Sequence, residues 1–439
     1  MIRLIDGRGK GSDYIWNRLN RRSQLSSKNI QAAVNHILEQ VQQLGDTAVL
    51  GFTSQFDGVA FQKPEDMIVS SDEINDAYQR VPSELIEIFR RAKEKILQFH
   101  IKQRTNTWMS FDEEDIILGQ RIQPMERVGV YVPGGRAAYP SSVLMNVLPA
   151  KVAGVPEIVM VTPPQAPDGK VNDNTLVAAH EAGVSKIYKV GGAQAIGALA
   201  FGTSVIPKVD KIVGPGNIYV ALAKKAVYGY VDIDMIAGPS EVLIVADASA
   251  NPAYVAADLM SQAEHDPMAS ALLITSSIEL AERVKSELIK QIQKMSTRET
   301  ILASLKEYGA LIVVDTIEDA LELSNRLAPE HLELAVENAF EYLGKVKHAG
   351  AIFLGHYTPE PVGDYMAGPN HVLPTGGTAR FFSPLGVEDF VKKSSIISYT
   401  PNALKGIYKD ISLFARAEGL EAHANSVEVR FKDDEGVFT

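Results

Sequence analysis

The sequence predicts an α/β protein with two doubly wound, Rossmann-like domains, one inserted in the other, and small helical extensions at the N- and C-termini. Short apolar runs alternate with helical patterns from residue 128 to residue 228, and buried strands and amphipathic helices flank that region on both sides. Several of the runs end in glycine. Strands that alternate with helices pair in parallel through right-handed crossovers, which is the doubly wound arrangement.

The middle region repeats one strand–helix unit. Serines open its first helix and glycine closes it, as helix start and stop signals do. The predicted strands are 128–132, 157–162, 186–190 and 211–213, and the predicted helices are 141–154, 172–183, 193–201 and 218–228.

The flanking segments predict a second α/β unit, built from both sides of the middle one. Its predicted helices are 28–44, 82–102, 252–264 and 278–295, and its predicted strands are 241–246, 271–275 and 310–314. The expected domains are an N-terminal extension at 1–24, a first α/β domain from 25–127 and 238–383, an inserted α/β domain at 128–237, and a C-terminal tail at 384–439 with helices at 387–395 and 404–418.

Composition excludes several classes of protein. The 54 acidic residues exceed the 43 basic ones, and no dense basic stripe occurs, so no nucleic-acid partner is expected. The N-terminal residues lack the apolar run of a signal peptide, and no segment approaches the roughly 20 apolar residues of a membrane-spanning helix. The absence of cysteine excludes disulfides and thiolate metal sites. We expect a cytoplasmic enzyme that acts on a small molecule and has no membrane partner.

Two strand ends carry glycines directly before a helix, at Gly191-Gly192 and at Gly214-Pro215-Gly216. Free N–H groups and the helix dipole favour an anion such as a phosphate there. Neither turn has the G-x-G-x-x-G spacing of the dinucleotide fingerprint, and ordinary strand–helix turns use glycine as well. Nucleotide binding and a purely structural turn are both open from the residues alone.

Histidines near carboxylates and amides are the candidates for chemistry. Gln262 and His265 lie three residues apart near the end of a predicted helix, so they share one face, although a capping or surface histidine gives the same pattern. Asp364 fits an Asx turn equally well, and His423 lies in a polar tail where a solvated histidine is expected. Spacing alone does not assemble these residues into one site.

Glu330 and His331 are adjacent at the boundary between a helix and a predicted strand. A carboxyl group beside an imidazole can serve as a general acid–base pair, although structural roles also explain such pairs. His371, in a Gly-Pro-Asn-His loop, leaves the same two readings open. The remaining histidines have no such setting and are expected to be structural or on the surface: His36, His100, His180, His348 and His356.

Taken together, these segments resemble the histidinol dehydrogenase family over essentially the whole chain. The matching blocks, in order, are VGGAQAI (190–196), VGPGN (213–217), AGPSEV (237–242), SQAEHD (261–266), LAPEHL (327–332) and GPNHVLPTGG (368–377). The resemblance implies a homodimer with shared active sites that uses zinc and two NAD⁺ to oxidise L-histidinol through L-histidinal to L-histidine, the last step of histidine synthesis.

The resemblance also implies a role for each matching residue. The zinc ligands would be Gln262, His265, Asp364 and His423, with His423 reaching the partner subunit's site. His331 would be the base for the hydroxyl proton, and Glu330 would activate water. The implied substrate contacts are Ser240, Gln262, His265, His331, Asp364, His371, Glu418 and His423. The implied NAD contacts, in the inserted domain, are Tyr131, Gln194 and Asn217.

Two alternatives stay open. A related NAD-dependent dehydrogenase could oxidise another alcohol, such as a sulfonated diol, on the same scaffold. A non-catalytic metal-binding homologue is the other alternative, and the intact Glu330-His331 pair argues against it.

Overall fold

The computed structural model of the protein describes residues 2–10, 14, 28–134 and 139–431. The larger of two compact units comprises Met1–Arg104 and Met125–Phe390, and the smaller comprises Thr105–Pro124 and Val391–Thr439. Most of the predicted N-terminal extension and the last eight residues of the tail, 432–439, lie outside the described residues. Among the described helices, none has the length and apolar character needed to cross a membrane.

The described strands are β1 (Arg3–Asp6), β2 (Trp108–Ser110), β3 (Ile116–Pro124), β4 (Arg127–Tyr131), β5 (Glu157–Thr162), β6 (Lys186–Lys189), β7 (Lys211–Val213), β8 (Asp232–Ile233), β9 (Glu241–Ala246), β10 (Ser270–Thr275), β11 (Ala310–Val313), β12 (His331–Ala335), β13 (Ala351–Leu354) and β14 (Val391–Tyr399). The described α-helices are α1 (Lys28–Leu44), α2 (Asp46–Asp57), α3 (Ser71–Arg80), α4 (Ser83–Ile101), α5 (Pro140–Ala153), α6 (Asp173–Ala182), α7 (Gly192–Phe201), α8 (Ile218–Val227), α9 (Pro252–Ala263), α10 (Ile278–Ile292), α11 (Arg298–Glu307), α12 (Ile317–Leu327), α13 (Ala339–Tyr342), α14 (Glu360–Tyr365), α15 (Pro401–Ala417) and α16 (Glu421–Glu428).

The larger unit contains two parallel sheets, which confirms the predicted α/β class. One sheet has six strands in the order β1-β11-β10-β9-β12-β13, and the other has five in the order β6-β5-β4-β7-β8. In the five-stranded sheet the chain order reverses between β4 and β7. The predicted strands and helices of residues 128–228 all form, with bounds that differ by at most one residue.

Helices cover both faces of the five-stranded sheet. The core on one face contains residues of α3, α4, α5 and α6, and the core on the other contains residues of α1, α2, α7 and α8. The helices of residues 28–101, which the sequence assigns to the first α/β domain, therefore pack on the sheet of the inserted domain. The predicted domain boundaries themselves stay a prediction.

The six-stranded sheet is sandwiched in the same way. Residues of α9, α10 and α11 pack on one face and residues of α12 on the other, and β10 is buried along its whole length. Strands buried on both faces read as continuous apolar runs, which explains why the sequence predicted them without any alternation.

The smaller unit is an antiparallel sheet in the order β14-β3-β2, together with α15 and α16. The predicted helix at 387–395 is wrong. Val387–Phe390 is a short 3-10 helix, and the strand β14 begins at Val391 and pairs with β3 along nine residues. Because β3 lies about 270 residues earlier in the sequence, no local pattern announced this pairing.

Candidate active site

A cavity of about 610 Å³ opens beside the first residue of β12 in the larger unit. His331, Asp364 and His371 line it, together with Phe353 from β13. His331 and Glu241 begin two paired parallel strands, β12 and β9, so this cavity lies at the amino edge of the six-stranded sheet. Ligands of open α/β sheets usually bind at the carboxyl edge, so the location is unusual for the fold.

The main chain of Glu241 holds both members of the predicted acid–base pair. Its N–H group donates to Glu330 Oε2 at 2.8 Å, and its carbonyl oxygen lies 2.9 Å from His331 Nδ1. A carbonyl can only accept, so Nδ1 must carry the hydrogen, and His331 Nε2 is left with a free lone pair. The neighbouring strand thus fixes the tautomer that a base requires.

Burial shifts the pKa of both groups in the direction that favours their neutral forms. His331 is 4% exposed, and burial lowers its pKa to about 4, so the imidazole is neutral at physiological pH. Burial raises the pKa of Glu330 well above its usual value, and the charges of Glu360 and Asp364 raise it further. A neutral imidazole is the form expected of a proton acceptor, and a carboxylate of raised pKa is a stronger base than an ordinary one.

Beside this pair lies a cluster suited to a metal ion. One potential ligand atom from each of His265, Glu360 and Asp364 lies within 4.8 Å of the others. Gln262, one helical turn before His265, is 1% exposed, and its Oε1 has no hydrogen-bond partner among the described residues. A buried amide oxygen without a donor is costly unless a cation or ligand meets it, so the donor set fits a metal.

The sequence missed Glu360, which the structure places in this cluster. Its side chain lies 3.9 Å from His331 Nε2, measured from Oε1. Burial, followed by the charge of Asp364, raises the pKa of Glu360 to about 9. Burial opposes ionisation of Asp364 too, but His371, His331 and Glu360 outweigh it and lower its pKa. Glu360 lies four residues before Asp364 on α14, and this i,i+4 spacing was the sequence signal that could have placed both acids on one face of a helix.

His371 joins this cluster to α5, a helix that packs on the five-stranded sheet. Its Nδ1 lies 3.2 Å from Asp364 Oδ1, and its Nε2 lies 3.4 Å from Ser142 Oγ on α5. The preceding Asn370 donates from Nδ2 to the carbonyl of Met145 at 2.7 Å. That carbonyl would normally accept from residue 149, which is proline and has no N–H, so Asn370 supplies the donor that α5 lacks.

The other predicted substrate and metal residues are distributed between the two units. Ser240 directly precedes β9 and is half-buried. Glu418 and His423 lie in the smaller unit, at the end of α15 and on α16, and both are exposed. The structure thus brings His265 and Asp364 together and shows His423 as an exposed side chain of a separate unit.

The three predicted NAD contacts lie on turns at the carboxyl edge of the five-stranded sheet. Tyr131 ends β4, and its hydroxyl accepts from the N–H of Gly192 at 3.2 Å. Gln194, on the first turn of α7, is 1% exposed, and neither atom of its amide has a partner within the described part of the chain. Asn217 caps α8 by accepting from two backbone N–H groups, so it also has a structural role.

A buried ion pair holds the turn before Asn217. Lys224 and Asp234 contact each other, and Lys224 Nζ also donates to the carbonyl of Gly214 at 3.0 Å. Asp234 Oδ2 accepts from the N–H of Gly214 at 2.8 Å. Gly214 has a φ of 113°, and a Cβ there would lie 2.0 Å from the carbonyl oxygen of Tyr131. Only glycine fits this position.

The two doubly wound sheets, the neutral buried imidazole and the adjoining carboxylate–imidazole cluster define the chain as an α/β enzyme with acid–base chemistry at a site able to hold a cation. The profile of the histidinol dehydrogenase family matches residues 20–431. The protein belongs to the histidinol dehydrogenase family and is an oxidoreductase of alcohol and aldehyde groups.

Full-length relatives support this membership. The chain is 54% identical to histidinol dehydrogenase from Clostridium acetobutylicum over 98% of this chain and 99% of the relative. It is 54% identical to the enzyme from Caldanaerobacter subterraneus subsp. tengcongensis over 99% of this chain and all of the relative. The crystal structure of histidinol dehydrogenase from Elizabethkingia anophelis matches with a TM-score of 0.92 at 37% identity, covering 99% of both chains.

Proposed function

We propose that this enzyme oxidises L-histidinol through L-histidinal to L-histidine with two NAD⁺ and one zinc ion per subunit. The observation that carries the proposal is His331, a buried neutral imidazole with a free Nε2 beside a cluster that fits a metal. The family membership supports the substrate, and a cytoplasmic location belongs to the same proposal.

Zinc would be held by Gln262, His265, Asp364 and the partner subunit's His423. The unpartnered Oε1 of Gln262 and the closeness of His265 to Asp364 support this set. Zinc, when bound, supplies a positive centre that accepts substrate nitrogen atoms and fixes the orientation of the alcohol. Ser240, His371 and Glu418 would contact the substrate, and the anionic Glu418 suits an imidazole N–H or imidazolium.

In the alcohol step, His331 Nε2 would accept the hydroxyl proton, and NAD⁺, when bound, would supply the acceptor for the hydride of the same carbon. The aldehyde then needs water, because oxidation to a carboxylate passes through the hydrated aldehyde. Glu330 in its ionised form would accept a proton from that water, and its raised pKa makes the carboxylate a stronger base than usual. The protonated His331 would return its proton to the aldehyde oxygen as water adds. The second hydride would then pass from the hydrated carbon to a second NAD⁺, and His331, neutral again, would accept the second hydroxyl proton.

NAD⁺ would contact Tyr131, Gln194 and Asn217. The unpartnered amide of Gln194 supports this assignment, because it lies beside the N-terminus of α7, where backbone N–H groups favour a pyrophosphate. This helix is long enough, at ten residues, for its dipole to add to the attraction.

The decisive experiment counts NADH formed per L-histidinol consumed by the purified protein, before chelation, after chelation and after zinc is returned. Two NADH per substrate, lost on chelation and regained with zinc, is the expected result. Turnover of another alcohol such as a sulfonated diol, but not of histidinol, would reassign the substrate. Bound zinc without turnover of either would indicate a non-catalytic homologue.

The shared site of the proposed homodimer has a separate test. Subunits carrying His423→Ala and subunits carrying His265→Ala should each be inactive alone, because each lacks a zinc ligand. Mixed dimers would contain one intact site if His423 acts across the interface, so mixing should restore activity. No recovery in dimers shown to have exchanged subunits would place His423 in its own chain's site.

A further inference from the structure

Asp57, the last residue of α2, has a carboxylate oxygen that lacks a hydrogen-bond donor. Its Oδ2 is buried and without a partner in the part of the chain that the structure describes. It also lies at the C-terminal end of a helix, where the dipole disfavours negative charge. Such an oxygen is costly to bury unless a donor reaches it, and the described residues do not provide one.

The other end of α2 shows where Asp57 lies. Asp46, the first residue of α2, accepts hydrogen bonds from the hydroxyl and from the N–H of Ser204, the latter at 3.0 Å, just after α7 ends. The start of α2 therefore lies beside the end of α7. Since α2 also packs against α7, the two helices run antiparallel. They are about 18 and 15 Å long at 1.5 Å per residue, so Asp57 lies near the first turn of α7.

That first turn carries the proposed NAD contacts. Gly192 donates to the hydroxyl of Tyr131, and Gln194 presents its unpartnered amide. Burial raises the pKa of Tyr131 to about 12, the hydrogen bond from Gly192 opposes this, and the charge of Asp57 contributes to the rise. Asp57 is therefore close enough to act electrostatically on the tyrosine that ends β4.

The two faces of the five-stranded sheet indicate which half of the dinucleotide Asp57 meets. α5 covers one face, and its first turn lies beside His371 of the catalytic cavity. α2 and α7 cover the opposite face. A dinucleotide lying across the carboxyl edge, with its nicotinamide toward the cavity, extends its adenosine half toward α7 and Asp57.

We propose that Asp57 accepts a hydrogen bond from the 2′-hydroxyl of the adenosine ribose and thereby selects NAD⁺ over NADP⁺. This inference rests on the proposed NAD-dependent function. Rossmann domains commonly use an acidic residue for this hydroxyl, because a carboxylate repels the 2′-phosphate of NADP⁺. Here the acid would come from a helix that precedes the sheet in the sequence.

The test is calorimetric titration of the zinc-loaded protein with NAD⁺ and with NADP⁺, for the wild type and Asp57→Asn. The wild type should prefer NAD⁺. In Asp57→Asn, the NAD⁺ affinity should fall about tenfold or more, as expected when a charged hydrogen bond is lost, while NADP⁺ binds as well or better. The ratio of the two dissociation constants is measured on one preparation, so partial unfolding does not distort it.

Asp46→Asn is the matched control at the opposite end of α2. It should lower the melting temperature, because Ser204 loses a charged acceptor, and leave the NAD⁺ to NADP⁺ ratio unchanged. An equal change of both affinities in Asp57→Asn, or the same change of ratio in Asp46→Asn, would overturn the inference. A wild type that binds NAD⁺ and NADP⁺ equally would also overturn it while leaving the dehydrogenase function intact. Binding of neither would contradict the NAD dependence itself.

Discussion

Lys224 and Asp234 form a buried ion pair that holds the turn before Asn217. The stability of this turn depends on each charge having its partner. The two side chains are 3% and 1% exposed, so the substitution Lys224→Met leaves an uncompensated carboxylate away from water. Removing one partner of a buried pair typically costs about 3–5 kcal/mol, and the carbonyl of Gly214 also loses its donor. We expect Lys224→Met to lower the free energy of unfolding by about that amount.

Urea denaturation at pH 7, followed by circular dichroism, measures this loss. The matched control is Lys224→Met combined with Asp234→Asn, in which the second change removes the stranded charge and keeps an acceptor for Gly214. The double variant should recover a substantial part of the stability. A loss below about 1 kcal/mol in Lys224→Met, or a double variant no more stable than the single one, would refute the reasoning.

Three further predictions concern the candidate active site. His265→Ala or Asp364→Ala should lower zinc affinity and activity together. The loss should be at least about 10- to 100-fold, which is typical when a residue that only hydrogen-bonds to a metal ligand is removed. Full zinc content by elemental analysis in either variant would contradict the assignment. Glu330→Gln should slow oxidation of L-histidinal by about 10²- to 10⁴-fold and affect the alcohol step less, since only the aldehyde step needs water; equal losses would refute that division. The pKa of His331 is about 4 in the folded state and near 6.5 in the unfolded state, so the folded state disfavours its protonation. Above about pH 6.5 this residue costs the fold nothing. As the pH falls from about 6.5 toward 4, the unfolded state gains a proton that the folded state does not, and stability is lost. Between pH 7 and pH 4, metal-free wild type should therefore lose roughly 3 kcal/mol more than His331→Asn, as measured by urea unfolding, and parallel losses would contradict the assigned shift.

The sequence predicted the five-stranded region well because its signals are local. Each strand from β4 to β7 is a short apolar run, and glycine or an N-cap residue marks the helix that follows, as Asn217 does for α8. The prediction of a helix at 387–395 was wrong for the opposite reason, because the signal for β14 is not local. Its nine residues become a strand by pairing with β3, and contacts over such a separation leave no mark on a local pattern.

Those parts of the candidate site that are close together in the sequence were predicted, and those that depend on contacts in the fold were not. The residue pattern alone suggested the pairs Gln262 with His265 and Glu330 with His331, and the family resemblance connected them to Asp364. Neither the residue pattern nor the resemblance suggested Glu360, whose significance depends on its burial beside Asp364. Nor did either suggest Glu241, which positions Glu330 and His331 through backbone atoms that every residue type possesses.

Asn370 connects the loop of His371 to α5, and its role in catalysis can be separated from its role in stability. Besides its bond to Met145, its Oδ1 accepts from the N–H of Val372 at 2.8 Å, so it shapes the loop that carries His371. Asn370→Ala leaves two buried backbone groups unpaired, at about 1–3 kcal/mol each. It should also lower kcat, because His371 loses its fixed position next to Asp364, while zinc content and NAD⁺ affinity stay unchanged.

Pro149→Ala provides the control, because it restores an N–H that can donate to the Met145 carbonyl within α5. Adding Pro149→Ala to Asn370→Ala should therefore recover stability without recovering kcat. If kcat returns together with stability, the loss in Asn370→Ala was a consequence of weakened folding. If kcat stays low in the restabilised protein, the Asn370 side chain itself holds the His371 loop in position against α5.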